Sequence, residues 1–81
     1  GEQRMLNIKI LGGGCPNCKK LEEVTRKVVN RLGLQAEFEK VTDMKKIMEY
    51  PILSTPGLVV NGELVCSGRI PHETEIEGWL Q

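Results

Sequence analysis

Between Leu11 and Pro16 the hydrophobic period of the chain changes. The stretch MLNIKIL sets Leu6, Ile8 and Ile10 on one face and stays apolar at Leu11, which predicts a strand over 5–11 buried mostly on both sides. From Pro16 the apolar residues Leu21, Val24, Val28 and Leu32 recur at the spacing of one helix face, with Lys19, Glu22, Glu23, Arg26, Lys27 and Arg31 on the wet side. Pro16 fits the first helical position, where its missing N–H is no loss, and Gly33 is a good stop, so a helix over 16–32 is expected. LQAEFEKV then alternates Leu34, Ala36 and Phe38 against Gln35, Glu37 and Glu39, a second strand with one face covered. Two strands joined by one compact helical crossover lie parallel, in a right-handed unit.

The rest of the chain completes a sheet around that unit. TDMKKIMEY reads as a short helix capped by Thr42 or Asp43, with Met44, Ile47 and Met48 facing the core, ending before Pro51. Two β-rich runs, 57–60 and 63–67, flank Asn61-Gly62, the strongest two-residue hairpin signal. Counting outward from that turn pairs Val60 with Glu63, Val59 with Leu64, Leu58 with Val65 and Gly57 with Cys66. A closing amphipathic helix over about 71–80 carries Ile76, Trp79 and Leu80 and is weakened by Gly78. The expected class is α/β, in the order β-α-β-α-β-β-α, with a four-stranded mixed sheet covered by helices on both faces. Residues 5–81 are expected to form a single domain, and residues 1–4 a disordered or tag-derived start.

Composition narrows the function classes. Eleven basic and eleven acidic side chains cancel in the 81 residues, which leaves no electrostatic footprint for nucleic acid or an anionic membrane. No apolar run approaches the roughly 20 residues of a membrane span, and the N-terminus lacks a secretory pattern. A soluble, cytoplasmic monomer is expected. Three cysteines are too few for a disulfide-stapled scaffold and suit functional thiols in a reducing compartment.

Two of those cysteines stand in GCPNCKK. Cys15 falls at the strand-to-helix junction and Cys18 one turn into the helix, where a Cα separation of roughly 5 Å lies within disulfide range. Cys15 meets the unsatisfied N–H groups and positive end of the helix, with Lys19 and Lys20 nearby, an environment that lowers a thiol pKa. Cys18, on the inner turn, would be shielded and act second on a mixed disulfide. In STPGL a proline immediately precedes a sheet strand. X-Pro bonds are the ones that adopt cis, and if that strand runs antiparallel to the first, Thr55-Pro56 faces the cysteine loop.

GCPNCKKLE, TPGLVVNGELVCSGR and the order of elements, spanning essentially everything from Met5 to Leu80, resemble the thioredoxin-like superfamily. The likeness is to its minimal glutaredoxin-like redox-active disulfide proteins of archaea and bacteria. The resemblance implies a thioredoxin fold and a thiol-disulfide oxidoreductase that exchanges with protein or small-molecule disulfides, an electron carrier in cell redox homeostasis. It assigns the nucleophile to Cys15, the resolving thiol to Cys18 and a cis peptide bond to Pro56, with Thr55 offering backbone hydrogen bonds and Gly14, Pro16 and Asn17 completing the substrate surface. The reversible Cys15-Cys18 disulfide would need no further cofactor and no metal. The implied partners are a disulfide-containing protein and a thioredoxin-reductase-like or other dithiol reductant. Thioredoxin proper carries a Trp before its motif and a buried Asp beneath it. Here Gly14 precedes Cys15 and Lys9 takes the expected place of that Asp, so proton handling must differ. SGRIPHE at the last helix does not match the glutathione-binding pattern of glutaredoxins.

The competing class is a soft-metal module for zinc, copper or a metalloid, in which Cys15 and Cys18 supply half a tetrahedral sphere and Cys66, with His72, completes it. A copper chaperone of the ferredoxin-like type also places such a pair after its first strand, but that fold ends in a strand. Cys66 by itself reads as a small core residue or as an auxiliary third thiol. His72 reads as a surface residue at a helix start, and Gly68 as tight backbone near the site.

Overall fold

The computed structural model describes residues 5–12 and 16–80, so Gly13, Gly14 and Cys15 lie outside the described residues, as do residues 1–4 and Gln81. The elements run β1 (Leu6–Leu11), α1 (Pro16–Leu32), β2 (Ala36–Val41), α2 (Met44–Ile47), β3 (Gly57–Val60), β4 (Glu63–Ser67) and α3 (Glu73–Leu80). The strands form one sheet in the order β2-β1-β3-β4. β1 pairs in parallel with β2, while β3 runs antiparallel to both β1 and β4.

Side-chain alternation divides the interior into two layers. Ile8 and Ile10 of β1 and Leu58 and Val60 of β3 point to one face, where Leu21, Val28 and Val29 of α1 and Ile76 and Leu80 of α3 close over them. Leu11, Val41 and Val59 point the other way and meet Ile47, with Tyr50, Ile52 and Leu64 at the margin. α1 and α3 therefore cover one face and α2 the other. Ion pairs of Lys27 and Arg31 with Glu73, and of Arg31 with Glu77, bridge the two helices along their exposed edges.

Three expectations are corrected. Met44 and Met48 do not face the core: they are 61% and 74% exposed. α2 is a single turn capped by Asp43, whose carboxylate accepts from the Lys45 N–H at 2.9 Å, and one turn buries only Ile47. The hairpin register shifts by one residue beyond its second pair. Val60 faces Glu63 and Val59 faces Leu64, but a bulge makes Val65 the extra residue, so Leu58 faces Cys66 and Gly57 faces Ser67. Lastly, Lys9 lies on the α2 side, in a cavity with Lys46, Glu49 and Tyr50, whereas Ile10 is the β1 residue that reaches the cavity at Cys18. Neighbours on a strand point to opposite faces, so Lys9 does not reach the cavity at Cys18.

Candidate redox site

β1 ends at Leu11, and Gly12 carries the chain from the sheet toward α1, its N–H donating to the Val41 carbonyl at 3.0 Å. Pro16 opens α1, as its fixed φ and lack of an N–H favour. Pro16 and Asn17 are exposed, and Cys18, one turn in, is 5% exposed. Cys18 is disulfide-bonded and the buried Cys66 is a free thiol. Cys15 and Gly14, central to the expected site, lie outside the described residues.

Gly12 is where space is tightest. A Cβ there would overlap the Cys18 sulfur and would lie 3.9 Å from the Pro56 Cα. The Thr55-Pro56 peptide bond is cis, Pro56 is buried and Thr55 is exposed. Cys18, Gly12 and Pro56 thus form a contiguous group where β1 ends and β3 begins. Gly12 is needed for close approach.

Gly68 belongs to the same neighbourhood. Its N–H donates to the Pro56 carbonyl at 2.8 Å, its φ is +77°, and a Cβ would sit 2.5 Å from the Ser54 Oγ. Both the positive φ and the missing side chain are required for β4 to leave the sheet beside Pro56.

Cys66, by contrast, packs into the α1–α3 core layer. Its thiol points toward the Arg69 carbonyl at 3.8 Å, and burial pushes its pKa up against the opposing pull of the Arg69 charge. A protonated, shielded thiol is a poor nucleophile. His72 stands at the start of α3, where its N–H donates to the Glu75 carboxylate at 2.9 Å. Among the described residues no group of three His, Cys, Asp or Glu side chains could hold a metal ion.

The sequence reading missed the residues behind Cys18. A cavity of about 60 Å³ is lined by Cys18, Ile10, Gly12, Lys19, Glu22, Lys40 and Thr42. Glu22, assigned to the wet side of α1, has a side chain only 14% exposed and accepts from Arg26 Nε at 2.9 Å and from Lys40 Nζ at 3.0 Å. Burial pushes its pKa up, but these two donors outweigh it and hold the carboxyl below its ordinary range. The available signal was spacing: Glu22 follows Cys18 by four residues, one turn along the same helix face.

A sequence model of the thioredoxin domain matches residues 6–81. A thioredoxin of Methanothermobacter thermautotrophicus is 45% identical over 73 residues, 90% of this chain and 95% of that protein. A thioredoxin of Methanocaldococcus jannaschii is 41% identical over 77 residues, 95% of this chain and 88% of that one. Among solved structures, the germline-specific thioredoxin Deadhead of Drosophila melanogaster superposes with a TM-score of 0.64 at 16% identity, over 94% of this chain and 78% of its own, a likeness of fold.

Proposed function

The chain belongs to the thioredoxin family, and on that premise we propose that Cys15 is its nucleophile, Cys18 its resolving thiol and cis-Pro56 the platform on which a disulfide substrate docks. Its activity is that of a thioredoxin-like thiol-disulfide oxidoreductase, which acts on disulfide substrates together with a reductase. The residue assignment rests chiefly on one observation: Cys18 is disulfide-bonded and buried, with its sulfur close against Gly12 and cis-Pro56 near the same glycine. Of the three cysteines Cys66 is a free thiol, which leaves Cys15 as the partner in our reading.

The chemistry then runs in two exchanges. The Cys15 thiolate attacks one sulfur of the substrate disulfide, forming a mixed disulfide and expelling the other sulfur as thiolate. The Cys18 thiolate next attacks the Cys15 sulfur, the Cys15–substrate bond breaks, and the second substrate sulfur leaves. Protons given up by the two protein thiols end on the two substrate thiols, and two electrons pass from protein to substrate. A dithiol reductant reverses the process on the protein. Pro16 and Asn17 are exposed beside the pair and Thr55 beside Pro56, consistent with an extended substrate segment laid across them. We place this chemistry in the cytoplasm, with the protein acting as a monomer. Among the described residues no helix is long and apolar enough to cross a membrane.

Cys18→Ser tests the assignment. The variant is expected to arrest the mixed disulfide on Cys15, so that disulfide substrates from cell extract stay bound until a reductant is added. Capture that persists in Cys15→Ser instead would reverse the two roles.

A further inference from the structure

The exposed Thr55 is held from behind through both of its neighbours. The Pro56 carbonyl accepts from the Gly68 N–H at 2.8 Å, and the Ser54 Oγ lies where a side chain at position 68 would have to go. Whatever fixes Gly68 therefore fixes the backbone around Thr55. Residues 68–72 belong to no helix or strand, so other bonds must set their path. On the β4 side, the Cys66 thiol points toward the Arg69 carbonyl at 3.8 Å and closes the turn around Gly68. On the α3 side, Arg69 Nη1 and Nη2 donate to the Glu75 carboxylate at 2.9 and 3.0 Å, and the same carboxylate accepts from the His72 N–H at 2.9 Å. Glu75 stands on α3, which Ile76 and Leu80 anchor in the core. The residue after Gly68 is thus tied to a packed helix. Arg69 is half exposed, and a surface ion pair of that kind contributes little to stability. Two parallel hydrogen bonds do, however, fix the direction of a guanidinium as a single contact does not.

We propose that Arg69 and Glu75 are positioning residues for substrate docking: by fastening the residue after Gly68 to α3, the pair sets the Gly68 N–H against the Pro56 carbonyl and so fixes the face that Thr55 and Pro56 present to a disulfide-bearing peptide. The proposal rests on the docking role given to Pro56 above. It assigns the pair no part in the thiol exchange, so its loss should weaken the capture of a protein substrate and spare the attack of Cys15 on a small disulfide.

Insulin, with dithiothreitol as the electron donor, supplies a protein disulfide, and 5,5′-dithiobis(2-nitrobenzoate) a small one that needs no peptide docking. In Arg69→Met the KM for insulin should rise about three- to tenfold, the size of one backbone hydrogen bond, with kcat and the rate on the small disulfide within about twofold of wild type. Glu75→Gln should do the same, and the double variant no more than either single one, because each breaks the same link. The Gly68 amide, followed by hydrogen exchange, should exchange faster by a similar factor in each variant. Rates on insulin and on the small disulfide that fall together, effects that add in the double variant, or an unchanged Gly68 amide would overturn the proposal, the first in favour of a general loss of folded protein. A KM unchanged in Arg69→Met but raised in Pro56→Ala would overturn this proposal alone. A KM unchanged in both would remove the docking role of Pro56, and this proposal with it.

Discussion

At the scale of single residues the site depends on one atom that is missing. Gly12 leaves room for the Cys18 sulfur and lies against Pro56, so Gly12→Ala is expected to displace one of them. Overpacking of this kind costs about 1–3 kcal/mol, and urea unfolding of the oxidised protein measures it; a variant as stable as wild type would mean that the sulfur has space to move. Cys66 gives a second prediction. Its burial and raised pKa should make alkylation by iodoacetamide at pH 7.5 far slower in the folded protein than in urea, and equal rates would show the thiol to be accessible. Cys18 and Pro56 were legible in the sequence because residue type carries their chemistry: a thiol three residues past another, a proline before a strand. Glu22 and Lys40 were not, because a charged residue on an amphipathic helix or an edge strand reads as solvated until the partner surface is known. Gly12 was not legible either, because what the packing uses is its lack of a side chain, which matters only once the Cys18 sulfur is placed.

Elements show where local pattern suffices and where it fails. α1 is set by its own periodicity and by Pro16 and Gly33, the latter at φ +69°, and its expected bounds match. The hairpin turn follows from Asn61 at φ +52° and Gly62 at φ +86°, backbone that Asn and Gly tolerate best. The register beyond the turn was not legible. Placing Val65 as a bulge lets the buried Cys66 face Leu58 within the α1–α3 layer, a tertiary demand that alternation within the hairpin does not encode. α2 failed for a related reason, since one turn is too short for helical spacing to define a face. α3 starts at Glu73, two residues later than its apolar spacing suggested, because Glu75 turns back to cap the His72 N–H while binding Arg69 through both oxygens at 2.9 and 3.0 Å. The Arg69 hydrogen bond first, and the His72 N–H second, hold the Glu75 pKa down to about 2, against an ordinary 4.5. A depressed carboxylate contributes stability above its unfolded pKa and loses it as pH falls through the folded value. Glu75→Gln should therefore lower the melting temperature at pH 7, and the gap from wild type should close between about pH 4.5 and 2. A gap independent of pH would show that the charge is not involved.

The molecule as a whole is one four-stranded sheet with a core layer on each face, and its α1–α3 face carries the cysteine helix. Ile76, fully buried, holds α3 against that layer. Ile76→Ala is expected to cost about 2–5 kcal/mol, read from urea unfolding, and a smaller loss would mean that α3 is not part of the cooperative core. The order of elements and the two-sided covering were legible because each run of apolar residues has one period and each break carries a turn residue. The thioredoxin-like chemistry follows from that architecture, which sets a helix-borne thiol beside a cis-proline. The most direct test of the central claim is a redox titration in which protein equilibrated across a dithiol/disulfide buffer is alkylated and weighed. The account predicts a single two-electron transition between species differing by two labels, both mapping to the peptide that contains Cys15 and Cys18, with Cys66 unchanged throughout. Labels that appear one at a time, or a transition that requires Cys66, would contradict it.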